Sequence, residues 1–349
     1  MVGAHVFNQF SPISVISGEA VGLFERISDL TGAFPGGAQC FMMIMGMLLF
    51  FSTKPLGKGL VRRGLALILF SFAVEVLRLL PGLVNFAITG DFVSFYPEHS
   101  HAEDWQLMVV TLFWQDILIF AGMALVFLGI VIEFNVPDKF VVIILASMMV
   151  SNTFLSGMDT GNDALDIFLG YFWGTTIFDG TMTTSRYPFL SWIVYPVAGY
   201  LIGNRLVRCT DKHLFYKRLG LIFFILSVPL TVIGVLTGMF DTGFTGLRSY
   251  HQGILVNLWC MLLAFDWIVL VYLVSLKVPE RCLAHPIRWG RNVTRIYVLH
   301  FVILAIVIQF LPLTLDVFGC IVTFLVLFAV SDILASRFFS PDDGGVGDP

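Results

Sequence analysis

Ionisable side chains lie inside several long apolar segments of this 349-residue chain. Glu75 lies in FAVEVLRLL, Asp116 in LFWQDILIF, Asp266 in AFDWIV and His300 in IYVLHFVIL. An ionisable group at membrane depth is costly unless it is paired, so it often marks a proton relay, an ion pathway or a catalytic group. Each of these four residues is therefore a functional candidate, and each has a structural alternative.

The structural alternatives differ from one residue to the next. Arg78 follows Glu75 by three residues on one helical face, which favours an ion pair that satisfies both. Asp116 begins an apolar run, where the helix dipole favours a carboxylate. A structural role at the helix start and a role in a functional site are therefore both open for Asp116. Packing against a hydrogen-bond donor is favoured for Asp266. His300 is either a hydrogen-bonded interhelical residue or a functional base.

Two loops carry ligand types that Zn²⁺ or Ca²⁺ use. The loop YPEHSHAEDW contains Glu98, His99, His101, Glu103 and Asp104. The loop SGMDTGNDALD contains Asp159, Asn162, Asp163 and Asp166. The first lacks a third zinc ligand at a defined spacing, and the second lacks the glutamate at position twelve of a calcium loop. We predict that both loops are solvated and hold no metal. For the first loop, a position at the outer entrance for a substrate is an alternative interpretation.

The composition is that of a polytopic membrane protein. Hydrophobic residues make up 57% of the chain and charged residues 13%, about half the charged share of soluble globular domains. The mean hydropathy is +0.88. A net charge of −4 offers no basic field for nucleic acid. The five cysteines form no CxxC pair, so we expect no disulfide framework.

Nine runs approach the roughly 20 apolar residues that a bilayer-spanning helix needs. They cover residues 38–53, 64–80, 107–132, 139–156, 187–204, 219–240, 253–276, 293–311 and 316–338. A tenth run, Leu165–Phe178, is short and contains two glycines, which predicts an interfacial or re-entrant segment. In GYLIG, Gly199 and Gly203 form a GxxxG helix-packing pattern.

The expected fold is therefore all-α. We predict a polytopic helical membrane protein with about nine to ten transmembrane helices, one short interfacial or re-entrant segment and a truncated first helix. One transmembrane domain is expected over residues 1–340, followed by a disordered acidic tail over residues 341–349.

Basic residues are concentrated in three loops, which should face the cytoplasm because Lys and Arg are enriched there. These loops hold Lys54, Lys58, Arg62 and Arg63; Arg205, Arg208, Lys212, Lys217 and Arg218; and Lys277, Arg281, Arg288, Arg291 and Arg295. The acidic loops near Asp104 and Asp163 should face outside. We therefore expect a protein of the cell (cytoplasmic) membrane, with its N-terminus outside and its C-terminus in the cytoplasm.

Four stretches, in chain order, resemble signatures of the transmembrane acyltransferase superfamily. They are FPGGAQCFMMIMGMLLFFS, WQDILIFAGMALVFLGI, SRYPFLSWIVYPVAGYLIGNRL and GRNVTRIYVLHFVIL. The nearest branch is that of heparan-alpha-glucosaminide N-acetyltransferase-like proteins and their prokaryotic relatives. The similarity extends from the first residues to beyond His300. Chains of the family usually begin with a complete first helix, whereas this one starts at Met1 inside the phrase that ends that helix.

The resemblance implies an enzyme that moves an acyl group, acetyl in this branch, from cytoplasmic acyl-CoA to an acceptor on the other side of the membrane. His5 occupies the place of the family's essential histidine, which would serve as a base or as an acyl-carrying nucleophile, and Asn8 would orient it or the acyl carbonyl. Asn292 and His300 match the late motif, and Asp116 lies in the second matching stretch. These five residues are the candidate catalytic residues.

Acetyl-CoA or another acyl-CoA is the expected co-substrate, and its phosphates would be bound by basic loop residues. The candidates are Lys58, Arg62, Arg63, Arg205, Arg208, Arg288, Arg291 and Arg295. The other expected partners are the lipid bilayer and a glycan or other small outer-face acceptor, with a homodimer as one open arrangement. The alternative function is a transporter or channel whose pathway uses Glu75, Asp116, Asp266 and His300.

Overall fold

The computed structural model describes residues 2, 5–6, 10, 37–90, 92, 102–237, 251–310, 315 and 317–338. Within these ranges the chain is helical, apart from turns and one isolated antiparallel bridge between Ile177 and Met182. Asn8, Glu98, His99, His101 and the tail 341–349 lie outside the described residues. The all-α prediction is confirmed for the described part of the chain.

Thirteen α-helices have defined bounds in the described ranges. They are α1 (Ala38–Leu48), α2 (Lys58–Thr89), α3 (Asp104–Leu112), α4 (Ile117–Glu133), α5 (Asp138–Leu155), α6 (Asp163–Trp173), α7 (Phe189–Trp192), α8 (Val194–Arg208), α9 (Lys212–Leu236), α10 (Ile254–Ser275), α11 (Glu280–Arg291), α12 (Val293–Phe310) and α13 (Val317–Phe338). A 3₁₀ turn, Leu49–Phe51, follows α1. Val2, His5, Val6 and Phe10 are also helical.

Side-chain caps fix the start of three helices. Asp116, Asn162 and Asp211 precede α4, α6 and α9, and each side chain accepts a hydrogen bond from a backbone N–H of the first turn. These residue types are preferred at helix starts because their oxygen satisfies an N–H that has no partner inside the helix. The helix-start interpretation of Asp116 is thereby confirmed.

Among the described residues, six helical segments are long and apolar enough to cross a membrane. They are Lys58–Thr89, Asp104–Glu133, Asp138–Leu155, Lys212–Leu236, Ile254–Ser275 and Phe318–Arg337. A seventh is present if α11 and α12, which meet at a 67° bend, are counted as one span. The segment Ala38–Phe51 is apolar but shorter. The protein is thus an all-α membrane protein, and the count of nine to ten transmembrane helices stays a prediction.

The surface of α9 shows why a bilayer is the matching solvent. Leu221, Phe224 and Ile225 are 60%, 58% and 58% exposed, and they belong to one uninterrupted apolar stretch of this helix. A soluble protein rarely leaves so large a contiguous apolar surface in water. These side chains are suited to contact with lipid tails.

The chain divides into two compact units, which are described separately. The first unit, called unit 1, comprises residues 1–28, 74–111 and 274–349. The second, unit 2, comprises residues 29–73 and 112–273. The predicted single domain over residues 1–340 stays a prediction.

Within unit 2, helices α1 and α8 pack backbone to backbone through glycines. A Cβ atom added at Gly199 would lie 2.0 Å from the carbonyl oxygen of Met43, and one at Gly203 would lie 2.5 Å from that of Met47. On the facing helix, a Cβ at Gly46 would lie 2.1 Å from the carbonyl oxygen of Pro196. The GxxxG pattern is therefore a helix-packing pattern, as predicted.

Replacing Gly199 by alanine is expected to destabilise the protein by about 3 kcal/mol, because the new methyl group collides with rigid backbone and forces the two helices apart. Thermal unfolding of the detergent-solubilised protein measures the effect. Gly290→Ala is the matched control, since a Cβ at this helical glycine would meet nothing within 4 Å. Equal unfolding temperatures for the two variants would contradict the packing interpretation.

Candidate functional site

Two histidines that are distant in sequence meet in unit 1. The ring centroids of His5 and His300 lie 5.5 Å apart, with the ring planes inclined by 35°. The ring of Phe301 lies 4.4 Å from each imidazole, centroid to centroid. The structure therefore brings together the first and second choices among the predicted catalytic residues.

The hydrophobic packing of the first residues explains how His5 reaches this place. Val2, Val6 and Phe10 are buried in one cluster with Ile296 and Leu304 of α12. The backbone N–H of Leu315 also donates to the carbonyl of Phe10, at 2.8 Å. Because Val2, Val6 and Phe10 recur at helical spacing, they fix one face of the helix against α12. His5, the residue before Val6, is also helical and lies half-buried next to His300.

His300 is completely buried, and its ring is oriented by hydrogen bonding to the backbone of the preceding helical turn. Its Nδ1 lies 3.1 Å from the carbonyl oxygen of Ile296. A carbonyl oxygen only accepts, so Nδ1 carries the hydrogen, and Nε2 of the neutral ring keeps its lone pair. Nε2 has no hydrogen-bond partner among the described residues. A buried imidazole held in this neutral form can stabilise a neighbouring cation through the lone pair on Nε2.

A buried ion pair lies beside the histidines. Arg78 Nη1 is 2.8 Å from both carboxylate oxygens of Glu75, and both side chains are buried. The guanidinium carbon of Arg78 lies 4.6 Å from the centroid of the Phe301 ring, in the range of a cation–π interaction. The predicted pair between Glu75 and Arg78 is confirmed. Phe301 therefore contacts Arg78 of this pair as well as both histidines.

The other predicted catalytic residues lie elsewhere. Asn292 ends α11, and its side-chain oxygen accepts a hydrogen bond from Arg295 at 3.0 Å. It stands eight residues before His300, about 12 Å along a helix, so the two do not share one contact. Asp116 belongs to unit 2, where its carboxylate caps α4 at 2.7 Å from the N–H of Ile117. Asn8 falls outside the described residues.

Asp266, a residue of the alternative pathway, has a structural partner. Its carboxylate accepts a hydrogen bond from the hydroxyl of Ser227 at 3.0 Å, which links α10 to α9 within unit 2. A second polar contact joins the same helices, from the indole N–H of Trp259 to the hydroxyl of Thr231, at 2.8 Å. The prediction that Asp266 packs against a donor is confirmed.

The candidate phosphate-binding residues are divided between the units. Lys58, Arg62, Arg63, Arg205 and Arg208 lie in unit 2, and Arg288, Arg291 and Arg295 in unit 1. Several have local partners: Lys58 faces Glu133 with 3.6 Å between Nζ and the carboxylate, and Arg288 pairs with Asp332. Arg63 donates to the carbonyl of Pro55 at 2.9 Å. The side chains of Arg62, Arg205, Arg208 and Arg291 are exposed.

The acidic loop before α6 differs from the solvated loop that the sequence predicts. Asp159, Asn162 and Asp163 are exposed, but Asp166 is buried and its carboxylate accepts from the backbone N–H of Thr160 at 3.2 Å. Asp163 accepts from the N–H of Phe178 at 2.8 Å. The prediction was wrong for Asp166, because its buried carboxylate holds the preceding turn, while Asp163 holds the segment that follows α6. Within the described ranges, no three His, Cys, Asp or Glu residues could hold a metal ion together.

Unit 2 contains a buried polar network that the sequence did not reveal. The side-chain amide of Gln115 donates to the carbonyls of Tyr171 and Tyr187, at 3.1 and 2.7 Å, and accepts from the N–H of Tyr187 at 3.0 Å. A second group surrounds Asn257, which donates to Ser191 Oγ at 2.8 Å and accepts from the hydroxyl of Tyr195 at 2.8 Å. The only sequence signal was the polar run TMTTSRYP between two apolar stretches.

His251, three residues before α10, is a further hydrogen-bonded polar residue of unit 2. Its Nε2 donates to the carbonyl of Ser185 at 2.7 Å, and the neighbouring Arg186 stacks over Trp114, with 4.2 Å between the guanidinium carbon and the ring centroid. Burial lowers the pKa of His251 below its usual value, and the positive charge of Arg186 lowers this pKa further, while the bond to Ser185 partly opposes them. His251 is thus held in its neutral form.

This shift predicts that stability falls in mild acid. Between the lowered pKa of folded His251 and the usual pKa of about 6.5, the unfolded chain binds a proton that the folded chain does not. The contribution of His251 is therefore fully present above about pH 6.5 and is lost as the pH falls below it. Thermal unfolding measured from about pH 5 to 8 tests this expectation. His251→Gln, which keeps a donor for Ser185, should show a weaker pH dependence; an unchanged dependence would contradict the assignment.

Of the described clusters, the His5–His300 pair combines most directly an accessible imidazole, a buried lone pair and a rigid support. Such a pair can remove a proton from a hydroxyl or amine and stabilise the resulting positive charge. Comparison with known proteins gives no assignment, since no family model, curated protein or solved structure matches the chain.

Proposed function

We propose that the protein is an integral membrane acyltransferase that transfers an acyl group, acetyl in the simplest case, from acyl-CoA to a sugar or other acceptor on the opposite side of the membrane. The observation that supports this proposal best is the pairing of His5 with His300, at 5.5 Å between ring centroids. The resemblance to membrane acyltransferases implies the same two residues as catalytic.

In the proposed reaction, His5 acts as the general base. It takes the proton from the acceptor hydroxyl or amine while the acceptor oxygen or nitrogen attacks the thioester carbonyl carbon of acyl-CoA. The carbon–sulfur bond breaks, and the CoA thiolate leaves and takes up the proton from His5. We assign the general-base step to His5 because it is half-buried and can be reached, whereas His300 is completely buried.

His300 assists this step through an electrostatic interaction with His5. The lone pair on its Nε2 stabilises the positive charge that His5 carries after it has taken the proton. The bond from Nδ1 to the carbonyl of Ile296 fixes the ring in the orientation that leaves this lone pair available. Phe301 and the Glu75–Arg78 pair hold the cluster rigid, since Phe301 contacts both imidazoles and the guanidinium of Arg78 lies over the Phe301 ring.

The exposed basic residues are the proposed sites for the phosphates of acyl-CoA. Within unit 2, Arg205 and Arg208 at the end of α8 and Arg62 near the start of α2 have exposed side chains that a phosphate can reach. Arg residues bind phosphate oxygens through charge-assisted, often bidentate, hydrogen bonds.

The transport alternative has weaker support. Asp116 caps α4, Asp266 binds the hydroxyl of Ser227, and the charge of Glu75 is neutralised by Arg78. Three of the four residues assigned to a pathway therefore have local structural partners. His300 is held by the carbonyl of Ile296 at Nδ1, and its Nε2 has no hydrogen-bond partner among the described residues.

An assay on the full chain in proteoliposomes tests the proposal. Acetyl-CoA is added on one side of the membrane and a panel of amino sugars and sugars on the other, and mass spectrometry quantifies CoA and acetylated product. We expect CoA and acetylated acceptor to form in equal amounts, and His213→Asn, at a histidine of unit 2, to leave the rate unchanged. Uptake of an intact panel compound would instead favour transport, and a folded protein that produces no CoA with any acceptor would contradict the proposal.

A further inference from the structure

Helix α11 is amphipathic, and all of its residues except the half-buried Leu283 are exposed. At 100° per residue, the polar positions fall on one half of the helix and the apolar positions on the other. The polar half contains Glu280, Arg281, Ala284, His285, Arg288 and Arg291. The apolar half contains Cys282, Leu283, Pro286, Ile287, Trp289 and Gly290. No residue of α11 is buried, and Ile287 is 53% exposed.

Two contacts within unit 1 tie α11 to α13. Arg288 forms an ion pair with Asp332, and the ring of Trp289 meets that of Phe328 edge-on, with 5.2 Å between centroids. Arg288 lies within the polar half and Trp289 at the border of the apolar half, so α13 contacts the side of α11 on which the two halves meet. The rest of the apolar half, around Leu283 and Ile287, is not covered by buried packing.

The bend at Asn292 sets the direction of α11. The axes of α11 and α12 differ by 67°, and α12 is an apolar helix of 18 residues, which we place across the bilayer. A helix that turns by this angle from a membrane-crossing helix runs closer to the membrane plane than to its normal. Its apolar half can then enter the lipid while its polar half stays at the level of the headgroups.

We propose that α11 is an interfacial helix that binds anionic phospholipid headgroups. The polar half carries a net positive charge, because it contains Arg281, Arg288 and Arg291 but only one acidic residue, Glu280. This charge favours an anionic partner. Basic residues beside a membrane-embedded helix attract anionic lipids, and tryptophan prefers the interfacial level at which headgroups and acyl chains meet. Arg281 and Arg291 are the lipid-binding residues, because Arg288 is engaged by Asp332. This proposal does not depend on the enzymatic one.

Bromine quenching of Trp289 fluorescence tests the proposal on the full chain in nanodiscs. Two preparations have the same mixture of phosphatidylcholine and phosphatidylglycerol, and they differ only in which lipid carries brominated acyl chains, at equal amounts. The signal of Trp289 is the difference between the wild type and Trp289→Phe. We expect brominated phosphatidylglycerol to quench this signal at least about twofold more strongly, and added salt to reduce the excess.

Variants separate charge from folding. The double variant Arg281→Gln/Arg291→Gln should lose the excess quenching, whereas Arg281→Lys/Arg291→Lys should keep it. The double variant Arg205→Gln/Arg208→Gln removes two exposed charges from α8 and should also keep it. Equal quenching by the two lipids, no quenching of Trp289, or an excess that survives the glutamine pair would overturn the proposal. Loss of the excess on adding acetyl-CoA would assign the arginines to a soluble phosphate ligand and overturn it as well.

Discussion

Replacing His5 by alanine is expected to lower the rate of acyl transfer by about 10²- to 10⁴-fold, the usual contribution of a general base. The reason is that His5 is the half-buried imidazole of the pair and is the proton acceptor of the proposed reaction. The rate is measured as CoA and acetylated acceptor formed by the full chain in proteoliposomes. The thermal unfolding temperature is recorded in parallel, because a loss of folding would also stop turnover.

His300→Asn is the matched variant for the buried partner. Asparagine can keep a donor for the carbonyl of Ile296, but it lacks the lone pair that Nε2 provides in this place. We expect the hydrogen bond and the fold to be retained and the rate to fall. A His5→Ala protein with wild-type turnover would remove His5 from the reaction, and a fully active His300→Asn protein would leave His300 as a structural residue.

Replacing Arg78 by alanine is expected to lower the free energy of unfolding by about 3–5 kcal/mol, because the carboxylate of Glu75 would remain buried without its partner. Both side chains of the pair are almost completely buried, and Arg78 binds both carboxylate oxygens at 2.8 Å. Unfolding of the detergent-solubilised protein by heat measures the effect. The loss should be accompanied by lower turnover, because Arg78 also lies over Phe301, which contacts both histidines.

The Lys58–Glu133 pair is the control for this experiment. The side chain of Lys58 is 88% exposed, so Lys58→Ala should change the free energy of unfolding by no more than about 1 kcal/mol. The double variant Glu75→Leu/Arg78→Met should recover most of the stability, since it removes both buried charges together. If Arg78→Ala and Lys58→Ala destabilise equally, the Glu75–Arg78 pair does not have the role assigned to it.

Local sequence patterns predicted the features that short-range physics controls. Glu75 and Arg78 pair because residues three apart on a helix are neighbours, and Asp116 caps α4 because a carboxylate at a helix start satisfies an N–H group. Gly199 and Gly203 allow two helices to approach at the backbone. The all-α architecture followed from runs of apolar residues, which need internally hydrogen-bonded helices in a bilayer.

Features set by tertiary contacts were not predictable in the same way. Asp166 looked like a residue of a solvated loop, but it is buried where its carboxylate holds Thr160. The amide of Gln115 bonds to backbone groups of residues 171 and 187, and no pattern near Gln115 indicates these partners. The bend at Asn292 was hidden, because the segment before it was interpreted as a basic loop and not as the amphipathic helix α11.

The proximity of His5 and His300 was predictable only in part from the sequence. The resemblance named both residues, and the apolar residues Val2 and Val6 provide the packing that places the first near the second. Their proximity within unit 1 could not be derived from spacing, since almost the whole chain separates them. The same resemblance named Asp116, which belongs to unit 2 and caps the N-terminus of α4.

A double-mutant cycle on the rate of acyl transfer tests most directly the central claim that His5 and His300 form one catalytic site. The rates of the wild type, His5→Ala, His300→Asn and the double variant are compared in the proteoliposome assay. Residues that act as a unit are non-additive, so we predict that the double variant is no slower than the slower single variant. A double variant whose loss equals the product of the two single losses would contradict the claim.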